Sequence, residues 1–167
     1  MRHWLVKTEP DVFSVEDLRA LGRSPWDGVR NYQARNYMRD DMRLGDPVLV
    51  YHSNAKPPAV VGLAEVVREA YPDHTSWDPT SAYHDPASTP DDPRWCMVDI
   101  GWVETFPRAV PLDELRTHAD GALAGMPLVG KSRLSVQPVT PEQFRFLCDL
   151  AGARTVTPTG RIRRRRS

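Results

Sequence analysis

Cysteine is scarce in this chain, and its placement excludes two roles at once. Cys96 and Cys148 lie far apart and fit neither a CxxC pair nor zinc-site spacing. Both are expected as reduced core residues. The five histidines are scattered with no pair at helical spacing, so neither a metal nor another cofactor is expected. GxGxxG, Walker, GxSxG and HExxH motifs are also missing, which removes the commonest dinucleotide, phosphate, hydrolase and zinc-protease chemistries. Asp40-Asp41 and Asp91-Asp92 are adjacent pairs rather than opposed carboxylates, and surface solvation explains them. His52 and Ser53 are neighbours, and neighbours on a strand point to opposite faces, where they do not easily share a proton. No catalytic set emerges, so a binding protein rather than an enzyme is expected. There is no apolar segment near Met1 and no run of ~18 apolar residues, so a cytoplasmic protein outside the membrane is expected.

Net charge is lacking too, but the cancellation hides an asymmetry. The 22 basic and 22 acidic residues balance, yet Arg161, Arg163, Arg164, Arg165 and Arg166 crowd into the last seven positions. Residues 1–160 therefore hold 17 basic against 22 acidic side chains, a net of −5. A body of that sign does not attract nucleic acid by its overall field, and binding would need a local basic patch. The 167 residues suit one domain with a sizeable core, expected as a monomer.

What is present is concentrated in Trp26 to Asn36, which reads WDGVRNYQARN. Pro25 and Gly28 bracket Trp26 and Asp27 as a turn, because proline fixes φ and glycine tolerates positive φ. Asn31 suits a helix N-cap, and Ala34, Tyr37, Met38 and Met42 follow at helical spacing as a core-facing stripe. Aromatic rings beside amide and guanidinium groups match what a flat, polar-edged ligand such as a nucleobase needs. A buried tryptophan anchoring a loop beside a solvated helix face accounts for the same residues.

Elsewhere the pattern alternates between short strands and a few helices. His3 to Lys7 reads as a central strand, and Ser14 with Asp17 forms a capping box opening a helix over Val15 to Leu21, closed by Gly22. Val48 to Tyr51 is apolar on both faces, hence a strand buried on both sides, and it ends in His52-Ser53-Asn54. Ala59 to Val67 is a second buried strand, in which Gly62 marks a bulge or a close approach and Glu65 faces an edge or a cation. Residues 71–94 are polar and proline-rich and carry Tyr71, Trp77 and Tyr83, which want either a core or a ligand. Trp95 to Phe106 and Leu134 to Val139 are further strands, with a short helix at 111–116. Thr140-Pro141-Glu142 starts a last helix that Gly152 closes. The expected class is α+β, organised as one domain over 1–152 with a disordered basic tail over 153–167.

Five of these stretches resemble, in order, the motifs of the EVE domain family: WLVKTEP from Trp4, WDGVRNYQARN from Trp26, VYHSN from Val50, GLAEVVREAYPD from Gly62 and RLSVQPV from Arg133. The resemblance covers residues 3 to about 151. It implies a PUA-like mixed β pseudo-barrel with peripheral α-helices, related to YTH domains that hold a methylated adenine in an aromatic cage. It also implies a non-catalytic reader binding a modified base of DNA or RNA. On that reading Trp26 is a cage wall, with Trp77 as a second wall on a loop that varies within the family. His52, Ser53 and Asn54 line the pocket floor, and Asn31, Tyr32 and Asn36 bond the base edge. Lys7, Arg35 and Arg133 contact phosphates. An enzyme acting on a modified base, and a small-molecule sensor or interaction module, are the competing readings.

Overall fold

Strands that are apolar on both sides require a sheet covered on both faces, and the computed structural model has one. It describes residues 1–130 and 132–164. The elements are β1 (His3–Thr8), α1 (Val15–Leu21), β2 (Arg23–Pro25), α2 (Tyr32–Asn36), β3 (Pro47–His52), β4 (Ala59–Pro72), β5 (Cys96–Pro111), α3 (Leu112–Arg116), β6 (Val136–Val139) and α4 (Pro141–Ala151). The strands form one six-stranded sheet in the order β2-β5-β4-β3-β1-β6. β1 and β3 pair in parallel, and the other neighbours are antiparallel. The class is α+β, as expected.

Period-two alternation sends each strand's side chains to two separate cores. Trp4 and Val6 of β1, Val48 and Val50 of β3 and Ile100 of β5 face a first core closed by α1, Trp26, Ala34 and Met38. Leu5, Leu49, Tyr51, Phe106 and Val110 face a second core closed by α3 and by Phe144, Leu147 and Ala151 of α4. In β4, Gly62 pairs with Val50 and Val60 with Tyr51, so Val61 is the extra residue of a bulge. The bulge reverses the alternation and lets Val60 and Leu63 share the second core. It also needs glycine, because a Cβ at Gly62 would stand 2.7 Å from the Glu104 carbonyl oxygen and from Val15.

Helix ends are set locally. Ser14 and Asp17 form the reciprocal capping box of α1, and Thr140 and Gln143 form that of α4, with Pro141 at its first turn. The Asn31 side chain accepts the Ala34 N–H at 3.0 Å and caps α2. The apolar stripe beyond it does not continue as α-helix: Tyr37–Asp41 widens into a π turn, with Met38 and Met42 still buried.

Three expectations are corrected. Pro25 belongs to β2, an edge strand of polar residues held by pairing Ser24 with Ile100. β4 and β5 run further than their apolar cores, because Tyr71 and Pro72 continue to pair with Met97 and Cys96. Residues 153–164 are not structureless. Glu104 accepts the Arg154 N–H at 2.7 Å and the Thr155 hydroxyl at 2.9 Å, Val156 bridges Ile162, and His3 Nε2–H donates to the Gly160 carbonyl at 3.2 Å. The folded body therefore passes residue 152; residues 165–167 of the expected tail lie outside the described residues. Arg164 stands 3.8 Å from Glu65, a cation being one of the two surroundings, an edge or a cation, expected for that carboxylate. Cys96 and Cys148 are both buried and unpaired, as their spacing implied. Among the described residues, no helix is long and apolar enough to cross a membrane.

Candidate functional site

Because β1 and β3 are parallel, their carboxyl ends open at the same end of the sheet. The Ser53 N–H donates to the Thr8 carbonyl at 3.0 Å and ties the two ends together. Phe13 ahead of α1, the segment 24–29 leading from β2, Tyr83 of the long β4–β5 loop, and Arg133 and Ser135 ahead of β6 enclose this end. Together they line an open cleft of about 720 Å³. That volume lies within the ~300–1,000 Å³ of small-molecule sites and admits a nucleotide.

Trp26 is both wall and core. Its backbone N–H donates to Val98 at 2.7 Å, so the sheet edge carries the segment. The ring is 7% exposed and meets Phe13 edge-on at 5.9 Å and 77°. Such T-shaped pairs place the positive edge of one ring against the negative face of the other. Next to it, Asp27 opens to the cleft mouth. Burial by surrounding protein and the nearby Asp73 carboxylate push its pKa above the ordinary range.

Gly28 lets the opposite wall close. Its φ is +76°, and a Cβ there would stand 2.7 Å from the Tyr83 ring. The Tyr83 loop is then locked from below by Asp73, a fully buried carboxylate. Asp73 accepts from the Gly28 N–H at 2.9 Å, from Arg30 at 2.9 Å and from the Thr75 hydroxyl at 2.6 Å. Burial opposes its ionisation, but these donors outweigh it and hold its pKa below the usual carboxylate range. Arg30 also donates to the Tyr83 carbonyl at 2.6 Å. Within the WDGVRN stretch, the arginine therefore fastens two loops rather than a ligand.

Two cations border the cleft. Lys7 Nζ donates to the Ser132 carbonyl at 2.7 Å, which holds the segment before β6, and burial lowers its pKa. Arg133 is exposed, and among the described residues no carboxylate lies within ion-pair distance of it.

The structure brings four of the sequence-predicted residues together here: Lys7, Trp26, Ser53 and Arg133. The others line the cleft nowhere, and most have polar groups already engaged. Asn31 is spent on its cap. His52 Nε2 accepts the Val15 N–H at 3.0 Å, and burial keeps its pKa below the ordinary value. Asn54 donates to Glu9 at 2.8 Å, and Asn36 accepts from Arg35 at 2.8 Å. Tyr32 stacks on Trp95, with Arg35 over it. Trp77 sits half-buried away from the cleft, its indole N–H without a partner among the described residues, and Tyr83 of the same loop supplies the second aromatic side instead. Residues missed from the sequence are Phe13 and Asp27, whereas Tyr83 stands out there as a loop aromatic wanting either a core or a ligand. A carboxylate held between a turn tryptophan and a turn glycine was the available signal for Asp27.

A mixed, bulged sheet with peripheral helices and an aromatic cleft at the ends of two parallel strands defines a PUA-like pseudo-barrel domain. The model of the EVE domain matches residues 2–150, and the chain belongs to that family. Thymocyte nuclear protein 1 of Mus musculus is 46% identical over 165 residues, covering 89% of this chain and 73% of that protein. A Pseudomonas putida crystal structure is 49% identical with a TM-score of 0.85, covering 89% of this chain and 99% of that one. The human THYN1 protein, crystallised in complex with 5-methylcytosine-containing DNA, is 43% identical with a TM-score of 0.87, covering 92% of this chain and 99% of that one.

Proposed function

We propose that this protein is a non-catalytic reader that takes a modified cytosine, extruded from DNA, into the cleft. The observation that carries the reading is the convergence of the Trp26 ring, the Asp27 carboxyl and the Lys7 and Arg133 cations on one nucleotide-sized cleft. The human relative's complex with 5-methylcytosine DNA supports it. Trp26 and Tyr83 offer faces for the base, and Asp27 accepts from a cytosine N4 amino group, the pairing expected of a carboxylate. Lys7 and Arg133 meet the flanking phosphates. Monomeric, cytoplasmic action belongs to the same proposal, and sedimentation with and without DNA checks the first part.

The placement of the reactive groups supports binding rather than turnover. His52, the one histidine beside Ser53, has its Nε2 occupied by the Val15 N–H and does not line the cleft. Ser53 is left without that base.

The energetics set which preferences are large. Burying the 5-methyl group contributes about 0.8 kcal/mol, roughly a fourfold preference over plain cytosine. Replacing the N4 amino group by a carbonyl, as in thymine, leaves Asp27 facing an acceptor, and such mismatches discriminate far more strongly. Extrusion from a duplex costs a few kcal/mol, so single strands bind more tightly than duplexes of the same sequence. The test is fluorescence anisotropy with oligonucleotides that differ only at one central position: 5-methylcytosine, cytosine, thymine or an abasic site. Affinity should fall in that order. Equal affinity for the 5-methylcytosine and abasic strands would refute the reading, since phosphate attraction alone would then account for binding.

A further inference from the structure

A second set of aromatic and cationic groups lies beside the cleft and is not used by it. Tyr32 is 51% exposed and stacks on Trp95 with centroids 4.8 Å apart and planes 25° from parallel. Trp95 is itself buried and held in place by its indole N–H, which donates to Asp85 at 2.7 Å. The Arg35 guanidinium lies 4.7 Å over the Tyr32 ring, fixed by bonds to the Arg94 carbonyl at 3.0 Å and to Asn36. Its charge is not neutralised: among the described residues no carboxylate lies within ion-pair distance of it, whereas Arg30 nearby is paired with buried Asp73. Trp95 and Tyr83 connect the stack to the cleft. Tyr83 lines the cleft and also a smaller cavity of about 270 Å³, whose walls include Arg30 and Trp95.

We propose that the Tyr32–Trp95–Arg35 stack is a second nucleotide site, which holds an unpaired nucleotide flanking the one inserted in the cleft. Tyr32 offers its free area to that nucleotide's base, and Arg35 bonds the adjoining phosphate with its two unused N–H groups. Single-strand binding surfaces work this way, with a ring under the base and a cation on the backbone. The rigid backing by Trp95 leaves Tyr32 little ordering entropy to lose on binding. The inference rests on the reading that the cleft takes an extruded base.

Single-stranded oligonucleotides with one 5-methylcytosine, carrying either normal flanking bases or an abasic flank on one side, provide the test. Wild-type protein should lose roughly 5- to 150-fold in affinity when the flank on the Tyr32 side is made abasic, the value of about 1–3 kcal/mol for one stacked base. Tyr32→Ala should bind both strands alike, and Tyr32→Phe should restore the difference. Arg35→Gln should reduce the salt slope by about 0.7, the share of one phosphate contact on a single strand. Tyr32 is half exposed, so its variants should stay folded, Tyr32→Phe with an unchanged unfolding midpoint and Tyr32→Ala with a slightly lower one. The same flank effect in wild type and Tyr32→Ala would overturn the second site while leaving the cleft reading intact. If wild type binds the 5-methylcytosine strand no better than one with a central abasic site, the cleft reading fails and the second site falls with it.

Discussion

Replacing Trp26 by alanine separates the two jobs the ring performs. Its core side packs with Phe13, Ala34 and Met38, and its remaining surface bounds the cleft. Buried aromatic truncations cost about 3–5 kcal/mol, of which part is the cavity left behind. Here the void opens into the cleft and fills with water, so the cost falls near the lower end, about 3 kcal/mol. The lost edge contact with Phe13 accounts for about 0.5–1.5 kcal/mol of that. Domains of this size hold roughly 5–15 kcal/mol, so the variant stays folded at 25 °C with a lower denaturation midpoint. Binding should weaken as well, by about 1–3 kcal/mol per folded molecule, because one stacking face is gone. Urea denaturation and anisotropy titration on the same preparation, corrected for folded fraction, read both quantities. Trp26→Phe keeps a ring in place and should recover most of the affinity. A stability loss of this size with unchanged affinity per folded molecule would show that the ring is core alone, and the wall assignment would be refuted.

Removing Arg133 should weaken binding to every oligonucleotide by a similar factor and reduce the salt slope by about one, without altering preference among bases. A changed preference would place Arg133 on the base instead. Asp27 carries a raised pKa from burial and from Asp73, so its charged form is disfavoured in the fold. Its contribution to stability is therefore present at acid pH and lost as pH rises through the folded value. Asp27→Asn should stabilise the protein slightly at neutral pH, with the gain vanishing below about pH 3.9, and should abolish discrimination against thymine; the gain is small because solvent at the cleft mouth screens the group. Destabilisation at neutral pH would mean that the carboxylate is structural. His52 titrates the other way: its folded pKa lies below its ordinary 6.5, so stability is full above about pH 6.5 and falls as pH drops through the folded value. His52→Gln keeps an acceptor for Val15 and should flatten that part of the profile in denaturation series from neutral to acid pH. An unchanged profile would exclude His52 as the source.

Much of the fold could be read from the sequence because its signals are local. A capping box, a proline after a threonine cap and a strand with no polar face each act within a few residues. That is why α1 and α4 begin and end where the side chains say they should, and β3 runs only one residue past the apolar stretch at each end. β2 could not be read this way. Nothing in Arg23-Ser24-Pro25 favours a strand, and it exists because β5 offers an unpaired edge from Asp99 to Gly101. The segment after residue 152 is similar: its threonines and arginines look soluble and free, yet the buried Glu104 carboxylate, fifty residues earlier in the chain, needs the donors that Arg154 and Thr155 supply.

The site was less legible than the fold, for a physical reason. Residue type shows what a polar side chain can bond, but not whether the fold has already taken that capacity. Asn31, Asn36, His52 and Asn54 all have the chemistry of base recognition, and each is engaged by the protein itself. Motif resemblance cannot separate these cases, because a residue that shapes a loop and one that touches a ligand fall within the same short stretch. Arg30 shows this most clearly. It sits in the middle of the most recognisable motif and faces the loops that form the cleft, yet its guanidinium is consumed by Asp73, Thr75 and the Tyr83 carbonyl. What remains for a ligand is whatever the fold leaves unsatisfied or open: the free area of Trp26 and Tyr83, the carboxyl of Asp27, the charge of Arg133 and, beyond the cleft, the exposed area of Tyr32 beside Arg35. These residues, rather than the most polar ones, are where substitutions should change binding without first changing the fold.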